Sequence, residues 1–281
     1  MTPASAAPGA ARLWWCRVFV SGTRGGNHTA VVLPGTTGTD PAALAALATA
    51  LDVPDTGFVL EATAERAVLR TFSPVEELAH CVQTSLAAVV ALGVAEGTTH
   101  RVRHLAGEEL TVHREGPVVW ARPGTARPRL EESAWPDLVR ADPDPDRPPV
   151  VLRQARSRLH LGCADAGQLA SLDIAARDVL ALCEATGTNG LVLSAPGGGD
   201  ARRVRVFTTS LAGSEDSATG GAVLGLGQIE AHHGVRGDLT VLQGPADPAR
   251  QGHLRLRLAG ADDVLLGGEV LPLARGTLEL P

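Results

Sequence analysis

Hydrophobic and polar positions divide this chain into short runs whose period changes along its length. Trp14 to Val20 is a brief apolar run suited to a buried strand. It ends at Ser21-Gly22-Thr23-Arg24-Gly25-Gly26-Asn27, a loop rich in turn residues. A second run, Ala30 to Leu33, stops at Pro34-Gly35. Asp40-Pro41 then opens an alanine- and leucine-rich helix, with Asp40 as N-cap and Pro41 at the first helical position. Two strand-like pieces follow, Phe58–Leu60 and Ala67–Phe72.

After Phe72 the pattern changes. A polar knot, His80-Cys81-Val82-Gln83-Thr84-Ser85, precedes LAAVVALGV, a helix that is apolar on every face. Such a helix belongs inside a fold rather than on its surface. From His100 to Trp120 apolar and polar residues alternate, as in half-buried antiparallel strands. The proline-rich stretch from Ala141 to Pro149 reads as a surface linker.

Beyond it the outline repeats. VVLRQ and LHLGC are strand-like, a helix is expected around Asp173–Glu184, and GLVLS and VRVFTTS flank the turn Gly197-Gly198-Gly199. A second knot, Gly213 to Gly221, leads into a second apolar helix, AVLGLGQIEA. LTVLQ, HLRLRLAG, VLLGGEVL and GTLEL close the chain as alternating strands separated by turns. Strand, phenylalanine, polar knot and apolar helix thus occur twice, at Phe72 and at Phe207, which predicts a two-fold internal repeat. A sheet curled around each helix supplies the apolar surface that helix requires.

Composition narrows the partners. The chain has 281 residues and a net charge of −6, with both signs interspersed and no basic stripe, which argues against nucleic acid. No apolar run approaches the roughly 20 residues of a membrane span. Residues 1–11 lack the apolar stretch of a signal peptide and are expected to form a disordered tail on a cytoplasmic protein. Cys16, Cys81, Cys163 and Cys183 have no metal-site or disulfide spacing. The adjacent His232 and His233 would point in different directions on a helix, so no metal is expected there.

The two knots hold the candidate chemistry. Each starts a buried helix, whose N-terminus offers unpaired N–H groups and the positive dipole end, a site for a carboxylate. Thr219, Gly220 and Gly221 would allow close backbone approach, and Gly25-Gly26-Asn27-His28 has the same character. Asp55, Glu77, His80, Cys81, Glu215 and Asp216 are the acid–base candidates. Asp216 stands out because it lies between a strand end and a buried helix.

Several co-linear segments resemble the PhzF-like (phenazine biosynthesis) family of the diaminopimelate epimerase-like superfamily. They are GGNHTAVVLPG, LDVPDTGFVLEA, LRTFSPVEELAHCVQTSLAAVVALG and VFTTSLAGSEDSATGGAVLG, with LTVLQG and GTLELP in order. The resemblance implies an α+β fold of two pseudo-repeated lobes, each a mixed sheet around a central apolar helix, with the site in the interlobe cleft. It implies a homodimer that needs no metal or organic cofactor and moves protons on a small carboxylate-bearing substrate. The expected lobes are 12–130, joined by a last strand at 275–281, and 131–274.

There are departures from the family pattern. Its glutamate base falls on Asp55, and its Gly-His pair falls on Val82-Gln83, where Gln83 can donate a hydrogen bond but cannot shuttle a proton. Asp216 survives beside Glu215. Cys81 falls where the epimerases carry one of two catalytic thiols, but the opposite knot offers Ser217 or Thr219. The expected reaction is a double-bond shift, as in antibiotic or other secondary metabolism, with a 4-alkylproline-type pyrroline carboxylate as one candidate substrate. Asp55 or Asp216 would remove a proton and the other return it. Asn27 and Thr219-Gly220-Gly221 would hold the carboxylate, and Gln83, with His28 or His80, would orient the substrate. Two alternatives remain open: an epimerase or racemase using Cys81, and a protein that only binds a small molecule.

Overall fold

The computed structural model describes residues 10–33, 40–105, 107, 109–124, 128–245, 247, 249–260 and 262–279. The first half runs β1 (Ala10–Val20), β2 (Asn27–Val32), α1 (Pro41–Leu51), β3 (Asp55–Ala62), β4 (Arg66–Phe72), β5 (Glu77–Leu78), α2 (Val82–Ala91), β6 (His100–His104), β7 (Glu109–Glu115) and β8 (Val118–Pro123). The second runs β9 (Arg129–Glu132), β10 (Val150–Arg153), β11 (Arg158–Gly162), α3 (Ala166–Ser171), α4 (Ala176–Thr186), β12 (Gly190–Pro196), β13 (Ala201–Thr208), β14 (Glu215–Asp216), α5 (Gly220–His232), β15 (Gly237–Gln243), β16 (Gly252–Gly260) and β17 (Asp263–Glu279). The result is a sheet-rich α+β fold.

One pairing scheme is used twice. β2 lies parallel to β3, β3 antiparallel to β4, β4 parallel to β6, and β6 antiparallel to β7. β11, β12, β13, β15 and β16 repeat that order and those directions. Even the side chains at the turn correspond. Arg70 stacks over Phe72 and chelates Glu77, while Arg205 stacks over Phe207 and chelates Glu215.

In the first half the ladders close into a ring: β1, β2, β3, β4, β6, β7, β8, β17 and back to β1. α2 fills that ring, and its residues from Val82 to Val89 are all buried. An all-round apolar helix finds apolar partners in every direction there. In the second half the strands wrap α5 incompletely, and among the described residues no ladder joins β9 to β17.

Leu86, Ala87 and Val89 of α2 and Val223 and Leu226 of α5 belong to one core cluster. Outside it, α1 packs Leu44 and Ala48 on Phe58 and Phe72. α3 and α4 cover the second half in the same way, with Leu169, Val179 and Cys183 against Leu191, Leu193 and Phe207. All four cysteines are buried free thiols. Among the described residues no helix is long and apolar enough to cross a membrane.

Several expectations change. The expected tail of residues 1–11 overlaps β1, because Ala10 and Ala11 pair with Glu279 and Leu278; residues 1–9, Pro34-Gly35 and positions 280–281 lie outside the described residues. Both core helices begin inside the knots, so Val82-Gln83-Thr84-Ser85 form the first turn of α2. The 141–149 stretch is irregular but docked, with Asp144 N–H donating to the Gly162 carbonyl at 2.8 Å. VLLGGEVL and GTLEL form one strand, not two. Within that strand Gly267 and Gly268 make room for two rings: a Cβ would lie 2.5 Å from Trp120 Cε3 and 2.3 Å from Phe19 Cδ1, respectively. Phe19 itself sits at a bulge of β1 with φ 64°, which swings its ring across β17.

Candidate active site

The two core helices meet N-terminus to N-terminus. Cys81 caps α2, accepting from the Thr84 N–H through its sulfur at 3.5 Å, and Thr219 stands at the cap of α5. A Cβ on Gly220 would fall 2.9 Å from Val82 Cβ and 2.9 Å from Phe19 Cζ. Glycine at this position is what lets the two ends approach. The first N–H groups of a helix have no intrahelical acceptor, so two positive helix ends face one small pocket. Val82, Gln83, Gly220 and Gly221 all line it.

Two carboxylates share that pocket. Asp55, the first residue of β3, is half-buried, with part of its surface open to the pocket. Burial first, and then the charge of Asp216, push its pKa up to about 7. Its Oδ2 lies 3.6 Å from Cys81 Sγ. Asp216 is pushed up to about 6 by burial, against which its hydrogen bonds pull. It accepts from Asn27 Nδ2 at 2.6 Å and from the Thr219 hydroxyl at 2.5 Å. Gln243 fixes this loop, donating to the Asp216 carbonyl and accepting from the Thr219 N–H, each at 2.9 Å. Burial and the Asp55 charge raise the Cys81 thiol well above its usual range, so Cys81 is a neutral thiol at neutral pH.

Two buried arginines complete the pocket. Arg156 is 7% exposed and donates to Glu76 Oε1 at 2.9 Å. Arg158 is 4% exposed, its Nη1 donates to the Arg156 carbonyl at 3.2 Å, and its Nε finds no acceptor among the described residues. Burial and Arg156 lower the Arg158 guanidinium to about 9, which leaves it cationic at neutral pH. His80 lines the same pocket, and burial together with His104 pulls it down to about 3, a neutral imidazole. Strand register relates the halves: Thr56 and Leu191 oppose Phe72 and Phe207, so Asn27 and Arg156 occupy equivalent positions. Each reaches across, Asn27 to Asp216 and Arg156 to Glu76.

Of the residues expected at the site, Asp55, His80, Cys81, Gln83, Asp216, Thr219, Gly220 and Gly221 line the pocket, and Asn27 supports it through Asp216. Gln83 is already engaged, donating to the His28 carbonyl at 2.8 Å. Four others do not line it. His28 turns to Trp15, whose indole N–H donates to its Nδ1 at 3.0 Å, because alternation along β2 sends it to the opposite face from Asn27. Glu215 points away from Asp216 for the same reason and is held by Arg205 at 2.7 Å. Ser217 packs its backbone against Gly244 and Gly252, and Gly26 lets its backbone approach the Val18 carbonyl. Arg156 and Arg158 were missed. The visible signal was arginine at alternate positions in Gln154-Ala155-Arg156-Ser157-Arg158, between two apolar runs.

One pocket thus brings together a carboxylate pair, two helix N-termini and buried cations, groups that can take up a proton and hold an anion. Residues 16–276 match the PhzC-PhzF family model, described as phenazine biosynthesis-like protein, and the chain belongs to that family. By that membership it is an isomerase. Its fold is similar to the "Predicted Epimerase" of Pseudomonas aeruginosa, at 24% identity and TM-score 0.77 over 95% of this chain and 99% of that one. A PhzC/PhzF protein of Clostridium difficile matches at 19% identity and TM-score 0.73, over 95% and 99%. A hydroxyproline epimerase of Agrobacterium vitis with bound trans-4-hydroxy-L-proline matches at 14% identity and TM-score 0.65, over 97% and 93%. No curated protein matches the chain.

Proposed function

We propose that the protein shifts a double bond in a small unsaturated carboxylate, most simply a cyclic amino or imino acid, by removing and returning a proton in the cleft between two lobes. One observation carries this reading: Asp55 and Asp216, both raised toward neutrality, face one pocket with Arg158 and two helix N-termini. The bound epimerase neighbour supports a small cyclic amino acid as the substrate class.

Arg158 and the N–H groups of Gly220 and Gly221 hold the substrate carboxylate and stabilise the dienolate or dienamine formed when the proton leaves. A carboxylate pair with pKa values near neutrality presents one base and one acid at the same time. Asp216, the better solvated by hydrogen bonds, is the base, and Asp55 in its neutral form returns the proton. Gln83 fixes the β2 backbone and so the position of Asn27 behind Asp216. From the family resemblance we further propose a homodimer that acts in secondary metabolism.

The test is proton NMR in D2O with a panel of cyclohexadiene amino acids, alkylidene pyrroline carboxylates and simple amino acids. A shifted double bond with deuterium uptake is expected for one member, and loss of roughly 100-fold or more in Asp55→Asn and Asp216→Asn. Full turnover in both variants refutes the assignment. Uptake confined to an α-carbon, abolished in Cys81→Ala, would instead mark an epimerase.

A further inference from the structure

The catalytic pocket is small, with a free volume of about 40 Å³, and it adjoins a cavity of about 630 Å³. The two share His80, Arg156 and Gly221. Thr111 of β7 and Arg122 of β8 line it on one side and Gln154 to Arg156 on another, and one face of α5 forms its floor. That face is Gly221, Leu224 and Gln228, continuing to His232 in an adjoining cavity of about 550 Å³ that shares Gln228. These residues recur three or four apart and stack in one row along the helix. The row starts at the catalytic pocket and ends at the surface.

Gln228 is an anomaly in that row. It is 9% exposed, and its Oε1 has no hydrogen-bond partner among the described residues. A buried acceptor without a donor is destabilising, and in a native structure it calls for an explanation. Gln228 borders both cavities, so there is open space beside it.

We propose that this groove holds an extended arm of the substrate, ending in a hydrogen-bond donor such as an amide or ammonium, that binds Gln228 Oε1. The inference rests on the function proposed above and names its substrate class: a carboxylate whose reacting end fills the small pocket while an arm lies along α5. Seven residues separate Gly221 from Gln228, about 10 Å of helix, which an extended arm of about eight bonds spans. Arg156, common to both spaces, marks the junction.

The test is calorimetric binding of four unreactive acids: butyrate, octanoate, 8-amino-8-oxooctanoate and 8-aminooctanoate. The long amide is expected to bind at least tenfold tighter than butyrate and tighter than octanoate. In Gln228→Leu its advantage over octanoate should vanish, while butyrate binding is unchanged. In Gln228→Glu, 8-aminooctanoate should overtake the amide. If all four acids bind alike, or the amide's advantage survives Gln228→Leu, the arm site is wrong while the carboxylate pocket stands. If no acid binds, or binding is indifferent to Arg158→Gln, the carboxylate pocket itself is wrong and the arm site falls with it.

Discussion

Replacing Asp55 by asparagine should stabilise the protein while disabling it, and the stabilisation should depend on pH. In the fold the Asp55 pKa rises from 3.8 to about 7, so the native state binds this proton more tightly than the unfolded chain. Stability from this group is therefore intact at low pH and declines as pH climbs from about 4 to 7. Each pH unit corresponds to about 1.4 kcal/mol, which sets a ceiling of roughly 4 kcal/mol on the penalty above pH 7. Asp55 is open to pocket water on one side, and roughly 2 kcal/mol is the expected size. Asparagine keeps the shape and carries no charge. At about 2 °C per kcal/mol for a chain of this length, Asp55→Asn should raise Tm by about 4 °C at pH 8. At pH 4.5 the gain should shrink to near zero, because the wild-type carboxyl is protonated in the fold there. Thermal scans by circular dichroism at the two pH values measure this directly. Equal shifts at both values, or a loss at pH 8, would refute the view that Asp55 is a buried carboxyl held near neutrality.

Other outcomes follow from single contacts. Gly220→Ala places a methyl 2.9 Å from both Val82 and Phe19, so it should force the helix ends apart and abolish turnover, with Tm lowered by several degrees. Glu230 is 2% exposed and held by Arg147 and Arg202; burial opposes its charge, but those bonds leave its pKa below the usual range. Glu230→Gln should destabilise by about 2 kcal/mol at pH 7, read from urea unfolding, and the difference should diminish as pH falls through the carboxylate range. Cys81→Ser keeps a cap for the Thr84 N–H, and turnover should fall less than tenfold if the thiol only packs and caps; complete loss would bring Cys81 into the chemistry.

Local signals account for much of this architecture. Asp40-Pro41 capped its helix as expected, with the carboxylate accepting from the Ala43 N–H at 3.1 Å, because an N-cap is a contact within four residues. The two apolar helices were legible because they lack a polar face. Arg205 and Glu215 were not legible as a pair: antiparallel β13 and β14 set Glu215 opposite Phe207, on the same face as Arg205, and that placement takes Glu215 out of the site. Gly267-Gly268 resembles a turn in isolation and becomes the interior of a strand only because two aromatic rings from other strands occupy the space above it.

Read as sequence, the chain is already built twice from strand, phenylalanine, polar knot and buried helix, with Cys81 and Thr219 at the starts of those helices. Period and capping act over a few residues, so they can be read without knowing the partner. The family resemblance already implied a last strand joining the first lobe, but the tertiary structure set that strand to start at Asp263 and, among the described residues, left the second ring without a closing ladder. It also decided that Asn27 meets Asp216 across 189 residues of chain, and that Arg156 and Arg158 turn inward as the pocket's cations. Those contacts depend on which strands pair and in what register. Register is set by the summed burial of whole strands, and no short stretch of residues contains it.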